Sequence, residues 1–189
     1  MDVIKRFKLL LFVGLLVLPT ALAYISYSQF NWRPSAHKNY GELLPAMPLA
    51  NTTGVWSDGT VAGFELTRGK WVLTYVGPSK CAEACRQSLY FMRQARILQD
   101  SERYRIELVW VVTDAGEAEQ SALQATPGLR AWRSDTPALT RQFVTETANA
   151  GHIYFIDPLG NPILRFPTPP DAKRMVKDIK LLLKASQIG

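Results

Sequence analysis

The sequence predicts an α/β fold, a mixed sheet flanked by helices and preceded by one N-terminal transmembrane helix. Three observations carry that prediction. Trp71 to Val76 is a run of aromatic and β-branched residues, Gly77-Pro78-Ser79 breaks it, a helical stripe follows, and Ile106–Thr113 is a second apolar run. Strand, helix and strand in that order make a parallel βαβ unit buried on both faces. Asp58-Gly59 and Asp157-Pro158-Leu159-Gly160-Asn161 each lie between short apolar runs, the pattern of a hairpin at either end of the domain. Finally, no charged residue occurs from Leu9 to Trp32.

The apolar part of that N-terminal run, Leu9 to Tyr27, is long enough to cross a hydrocarbon core of about 30 Å. Lys5, Arg6 and Lys8 crowd its N-terminal side, which predicts a cytoplasmic N-terminus and an exported remainder. A cleaved signal peptide is the alternative, with Leu9–Leu18 as its apolar region and Ala21-Leu22-Ala23 as the cleavage site. Because the apolar run continues through Tyr24, Ile25 and Tyr27, the retained anchor is favoured. Either way the remainder faces an oxidising compartment, where a Cys pair can cycle between thiol and disulfide. The expected division is a membrane anchor over 1–29, a juxtamembrane linker over 30–46 and one domain over 47–189. His37 falls in the linker and reads as a solvated residue.

Within the domain, Val61, Phe64 and Leu66 supply the apolar positions of the second hairpin strand. Asp114 ends the Ile106–Thr113 strand and suits a cap on the next element. Ala115–Gly128 is polar and weakly helical, Leu129–Trp132 reads as a short edge strand, and Ser134–Pro137 starts a helix with an apolar face of Ala138, Leu139, Phe143 and Val144. After the last hairpin, Pro169-Pro170 precedes a final helix. Ala172, Met175, Val176, Ile179, Leu182 and Leu183 share one of its faces.

The chemistry sits just after the Trp71–Val76 strand. Cys81 and Cys85 are the chain's only cysteines. On a helix, that spacing puts both on one face, continued by Leu89, Met92 and Ala95, with the cysteines at its exposed end. A thiol at a helix start is pushed towards thiolate by the unpaired amides and the helix dipole. Two such groups can close a disulfide or hold one soft cation such as Cu(I). Cys81, nearer the turn, is expected to be the more exposed and reactive, with Cys85 resolving. The alternative is an inert structural disulfide, or two buried thiols acting as small apolar residues.

The segment GKWVLTYVGPSKCAEAC resembles the Sco/SenC family, thioredoxin-fold assembly factors of cytochrome c oxidase. That family's pattern is G-K-W-V-L-x-Y-F-G-x-x-x-C-P-x-x-C-P. Gly69, Lys70, Trp71, Val72, Leu73, Tyr75, Gly77, Cys81 and Cys85 match it in order, whereas Val76, Ala82 and Arg86 stand where it has Phe, Pro and Pro. The resemblance spans roughly Pro48 to Leu183. It implies a thioredoxin-like mixed sheet and a redox-active pair, Cys81 and Cys85. It also implies copper held by that pair and one His, for which His152 is the candidate. The implied setting is the bacterial inner membrane, single-pass, with a periplasmic domain. The implied partner is a cytochrome c oxidase subunit carrying a copper site, or its assembly proteins.

The family's His lies about nine residues before the turn Pro, which here is Asn149, whereas His152 lies six before Pro158. A three-residue shift along a strand turns a side chain to the other face. His152 is therefore open to two readings, a third copper ligand or a strand-edge His with a satisfied hydrogen bond. The net charge of +6 is spread over helices with no nucleic-acid motif, so no nucleic-acid partner is expected. Three function classes remain: a Sco-like copper chaperone, a thiol–disulfide oxidoreductase that holds no metal, and a non-catalytic interaction module with an inert disulfide.

Overall fold

A computed structural model describes residues 2–30, 39–134, 136, 138–143 and 151–189. The chain forms two compact units, residues 1–38 and 39–189. The described residues of the first form a helix, α1 (Asp2–Phe30), which carries Pro19 in its interior. Its stretch Arg6–Ile25 is long and apolar enough to span a membrane: 20 residues at about 1.5 Å each cover about 30 Å.

The second unit is built on an eight-stranded sheet. In chain order the strands are β1 (Glu42–Leu43), β2 (Thr53–Trp56), β3 (Val61–Gly63), β4 (Trp71–Gly77), β5 (Ile106–Val112), β6 (Leu129–Arg133), β7 (His152–Ile156) and β8 (Pro162–Phe166). Across the sheet they run β1-β8-β7-β4-β5-β6-β2-β3. β4, β5 and β6 are parallel, and every other pairing is antiparallel. Among the described residues the unit's α-helices are α2 (Glu83–Ile97), α3 (Gln120–Ala125), α4 (Ala138–Phe143) and α5 (Ala172–Ala185).

β4 is central because all seven of its residues are buried. Alternation sends its side chains to two cores. Trp71, Leu73 and Tyr75 join Leu89, Met92 and Ala95 of α2 and Met175, Ile179 and Leu183 of α5. Val72 and Val76 join Trp56, Phe64, Trp132 and the α4 residues Leu139 and Phe143 on the other face. Trp71 stacks on Phe155 with ring centroids 4.8 Å apart, fixing β4 against β7 in the first core. The expected final helix stripe is present, and Asp171 caps that helix by accepting from the Arg174 amide at 3.1 Å.

Several expectations are corrected. Leu129–Trp132 is no edge: β6 is paired on both sides, because the first hairpin folds back and lays β2 against it. That hairpin turns at Asp58-Gly59 as expected, but Phe64 and Leu66 lie in a 3-10 turn after β3. Near the N-terminal edge of this unit, Glu42↔Arg165 and Leu43↔Leu164 pair β1 with β8. Arg165 Nε also donates to Glu42 at 3.0 Å. Asp178, 2 % exposed on α5, holds the same stretch by accepting from the Tyr40 amide at 2.7 Å and the Gly41 amide at 2.8 Å. His37, Val144 and Asn149 lie outside the described residues.

Candidate functional site

The site lies where β4 and β5 end side by side, since loops leaving the carboxyl ends of adjacent parallel strands must meet. β4 stops at Gly77, whose carbonyl accepts from the Thr113 amide at 3.0 Å. A Cβ on Gly77 would come within 2.7 Å of the Tyr75 ring, so a side chain there would have to displace that ring. After Pro78 and Ser79 the chain reaches Cys81, then Ala82 as the N-cap of α2.

Cys81 and Cys85 are joined in a disulfide, with Cα atoms 5.1 Å apart. The two cysteines do not share a helix face, because α2 begins only at Glu83 and leaves Cys81 in the preceding loop. Nor are they at an exposed end. Cys81 is 1 % and Cys85 3 % exposed, so exposure does not mark Cys81 as the more accessible sulfur. Both pack in the first core with Tyr75, Ile153 and Leu89, and Ala118 of the loop after β5 packs against that core.

That loop supplies the contacts that sequence reasoning missed. Asp114 accepts from the Ser79 amide at 3.1 Å and the Gly116 amide at 3.0 Å, so it caps the cysteine loop rather than a helix. Burial raises its pKa, but the hydrogen bonds from Ser79 and Gly116 outweigh that and hold the carboxyl below its usual value. A Cβ on Gly116 would fall 2.2 Å from the Ser79 hydroxyl oxygen, so the two loops touch. Glu119 accepts from the Cys81 amide at 3.0 Å and from the Ser121 hydroxyl at 2.6 Å. The Ser121 bond, then the Cys81 bond, lowers its pKa. Arg86, one turn into α2, donates to the Cys81 carbonyl at 2.9 Å and lies 3.8 Å from Glu119. The strand order could have revealed Glu119, since an acid in the loop after β5 must face the loop after β4.

His152 opens β7 at this same end of the sheet, opposite Val76. Directly paired antiparallel residues point to one face, so His152 shares the face of Val76, Tyr154 and Ile156. The cysteines lie on the other face with Tyr75 and Ile153. The His152 ring is 6.5 Å from that of Tyr154, and its Nδ1 lies 3.2 Å from the Phe166 carbonyl. The Thr168 hydroxyl lies 3.3 Å from the same nitrogen. Among the described residues no group of three or more His, Cys, Asp and Glu is arranged to hold a metal ion. The structure thus brings together Cys81 and Cys85, with Glu119 and Arg86 beside them, and leaves His152 behind the sheet.

Solved structures place the fold. The second unit is similar to Arabidopsis thaliana ScoI with copper bound, at 14% identity and TM-score 0.62, over 74% of this chain and 100% of that one. It is similar to yeast Sco1 with copper bound, at 16% identity and TM-score 0.64, over 76% and 96%. The thioredoxin domain of a Bacteroides vulgatus thiol-disulfide oxidoreductase also matches, at 17% identity and TM-score 0.53, over 76% and 97%. At these identities the likeness establishes the thioredoxin-like fold that Sco proteins share. No curated protein matches the chain. The family model described as "Transmembrane-like, thioredoxin-like, C-terminal domain" matches residues 71–186, more than half of the sequence, and the chain belongs to that family.

Proposed function

We propose that the chain is a membrane-anchored dithiol protein of the Sco type, serving assembly of the copper site of a terminal cytochrome oxidase. The observation that carries this reading is the Cys81–Cys85 disulfide at the junction of β4 and α2 in a thioredoxin-like sheet. Lys5, Arg6 and Lys8 before the apolar stretch of α1 support a cytoplasmic N-terminus and a periplasmic domain in a bacterial inner membrane. The partner is the oxidase subunit that carries the copper site, or a protein assembling it.

Copper would be cargo here. Two thiolates freed by reduction suit Cu(I), a soft ion, and the likeness to two copper-bound Sco structures supports that cargo. A trigonal set completed by His152 would need a donor from the opposite face of β7, so the Cys pair alone is the proposed holder. That placement of His152 favours a second reading, a thiol–disulfide oxidoreductase acting on the target's cysteines without metal. Anaerobic Cu(I) titration of the reduced full-length protein beside its Cys85→Ser form separates the two. The chaperone reading expects one Cu(I) per dithiol, held at least a hundredfold more weakly by Cys85→Ser. Equal, weak binding by both proteins would select the metal-free reading.

A further inference from the structure

Cys81 lies two residues before Glu83, the first residue of α2, and outside its N-cap Ala82. Its backbone is gripped from two sides. Its amide donates to Glu119 at 3.0 Å, and its carbonyl accepts from Arg86 at 2.9 Å. Glu119 is the N-cap residue of α3, yet its side chain caps nothing in that helix and reaches to Cys81. The Glu119 backbone is tied to the same loop, its amide donating to the Ser79 carbonyl at 3.0 Å. The Ser121 hydroxyl at 2.6 Å holds the carboxylate in place, and Arg86 lies 3.8 Å away. Three elements, α2, α3 and the cysteine loop, thus converge on one residue.

We propose that Glu119 and Arg86 are positioning residues that clamp Cys81 against Cys85 and set how firmly the disulfide stays closed. This rests on the reading that the pair cycles between disulfide and dithiol. Reduction by a dithiol proceeds as one thiolate of the reductant attacks a sulfur of the pair, breaking the S–S bond and forming a mixed disulfide. The reductant's second thiolate then displaces the remaining protein thiolate. Two electrons and two protons pass to Cys81 and Cys85, and the reductant leaves as its own disulfide. The reverse closure depends on how often Cys81 meets Cys85. A residue fixed by hydrogen bonds at both its amide and its carbonyl closes more readily than one on a free loop.

Arg86 is where the chain departs from the Cys-Pro pattern of the family it resembles. A proline there would have no guanidinium to hold the Cys81 carbonyl. The Arg86 half of the clamp therefore rests on a residue which that pattern lacks.

The test is equilibrium of the full-length protein in detergent with dithiothreitol redox buffers, read by alkylation and mass spectrometry. Glu119→Ala is expected to raise the equilibrium constant for reduction about tenfold, which corresponds to about 30 mV. Arg86→Ala is expected to move it the same way by a smaller factor. Glu119→Gln keeps an oxygen acceptor for the Cys81 amide and is expected to stay within about twofold of wild type. Thermal midpoints of the oxidised and reduced forms of each variant supply the second readout. Equal loss of stability in both forms with an unchanged constant would mean ordinary loop support and overturn the proposal. A Glu119→Gln protein behaving like Glu119→Ala would overturn it too. A wild-type disulfide that resists the buffer at potentials below about −300 mV would sink the cycling reading instead. The ratio between variants would still judge the clamp.

Discussion

Reducing the Cys81–Cys85 disulfide is expected to loosen the domain only slightly, and the size follows from the ring it closes. The cysteines are separated by 4 in sequence, so the bond removes little freedom from the unfolded chain. Loop-closure entropy for so short a ring is worth about 2 kcal/mol at most. The first core, with Leu73, Leu89, Met92, Trp110 and Phe155 fully buried, and the core across β4 are expected to persist without the bond. For a domain of this size, about 2 kcal/mol corresponds to a fall of roughly 4–8 °C in Tm. The assay is thermal unfolding of the full-length protein in detergent, followed by near-ultraviolet circular dichroism, with and without dithiothreitol. A fall beyond about 15 °C, or loss of the near-ultraviolet signal on reduction at room temperature, would refute the reasoning. The disulfide would then be a staple, and a protein that unfolds on reduction cannot cycle.

Other consequences follow from particular side chains. Asp178→Ala orphans the Tyr40 and Gly41 amides and is expected to cost about 2–4 kcal/mol in denaturant unfolding. Asp178→Asn, which keeps an acceptor, is expected to cost about half as much, and equal costs would mean the carboxylate's hydrogen bonds contribute little. The pKa of Asp114 is lowered in the fold, so its contribution to stability is complete above its unfolded value of 3.8 and fades as pH falls through the folded one. Asp114→Asn is therefore expected to reduce stability near pH 7 and to converge with wild type near pH 2, as read by denaturant midpoints. His152→Ala is expected to leave Cu(I) affinity and disulfide potential within about twofold of wild type. A tenfold loss of copper affinity would place His152 in the metal site.

The parts of the fold that were legible in the sequence are those that local pattern dictates. The β-branched run of β4, the Asp-Gly and Asp-Pro turns and the helical stripe from Met175 to Leu183 each declare themselves within a few residues. The interior position of β6 did not, because it depends on β2 returning from far earlier in the chain to pair with it. β1 escaped for the same reason. Two residues have no period, and their pairing with β8 is supported by Glu42 and Arg165, 123 positions apart. At the site the cysteine pair was plain, but the helix start was misjudged, since Ala82 offers no side chain to mark the cap. Glu119 was missed because it reaches Cys81 across 38 positions from a segment without local pattern, and only the adjacency of the loops after β4 and β5 points to it. The face of His152 could be read from its distance to the turn, and the β4–β7 register agrees with that arithmetic.

The most direct test of the central claim, that Cys81 and Cys85 work by cycling, is the standard potential of their disulfide in the full-length protein at pH 7. Buried structural disulfides resist cellular reductants at potentials below about −300 mV, while labile and catalytic ones lie above. The account predicts a value above −300 mV, with the dithiol form folded and re-oxidised completely. A value below it, with the disulfide intact in a reducing glutathione buffer, would make the pair an inert cross-link and contradict the account.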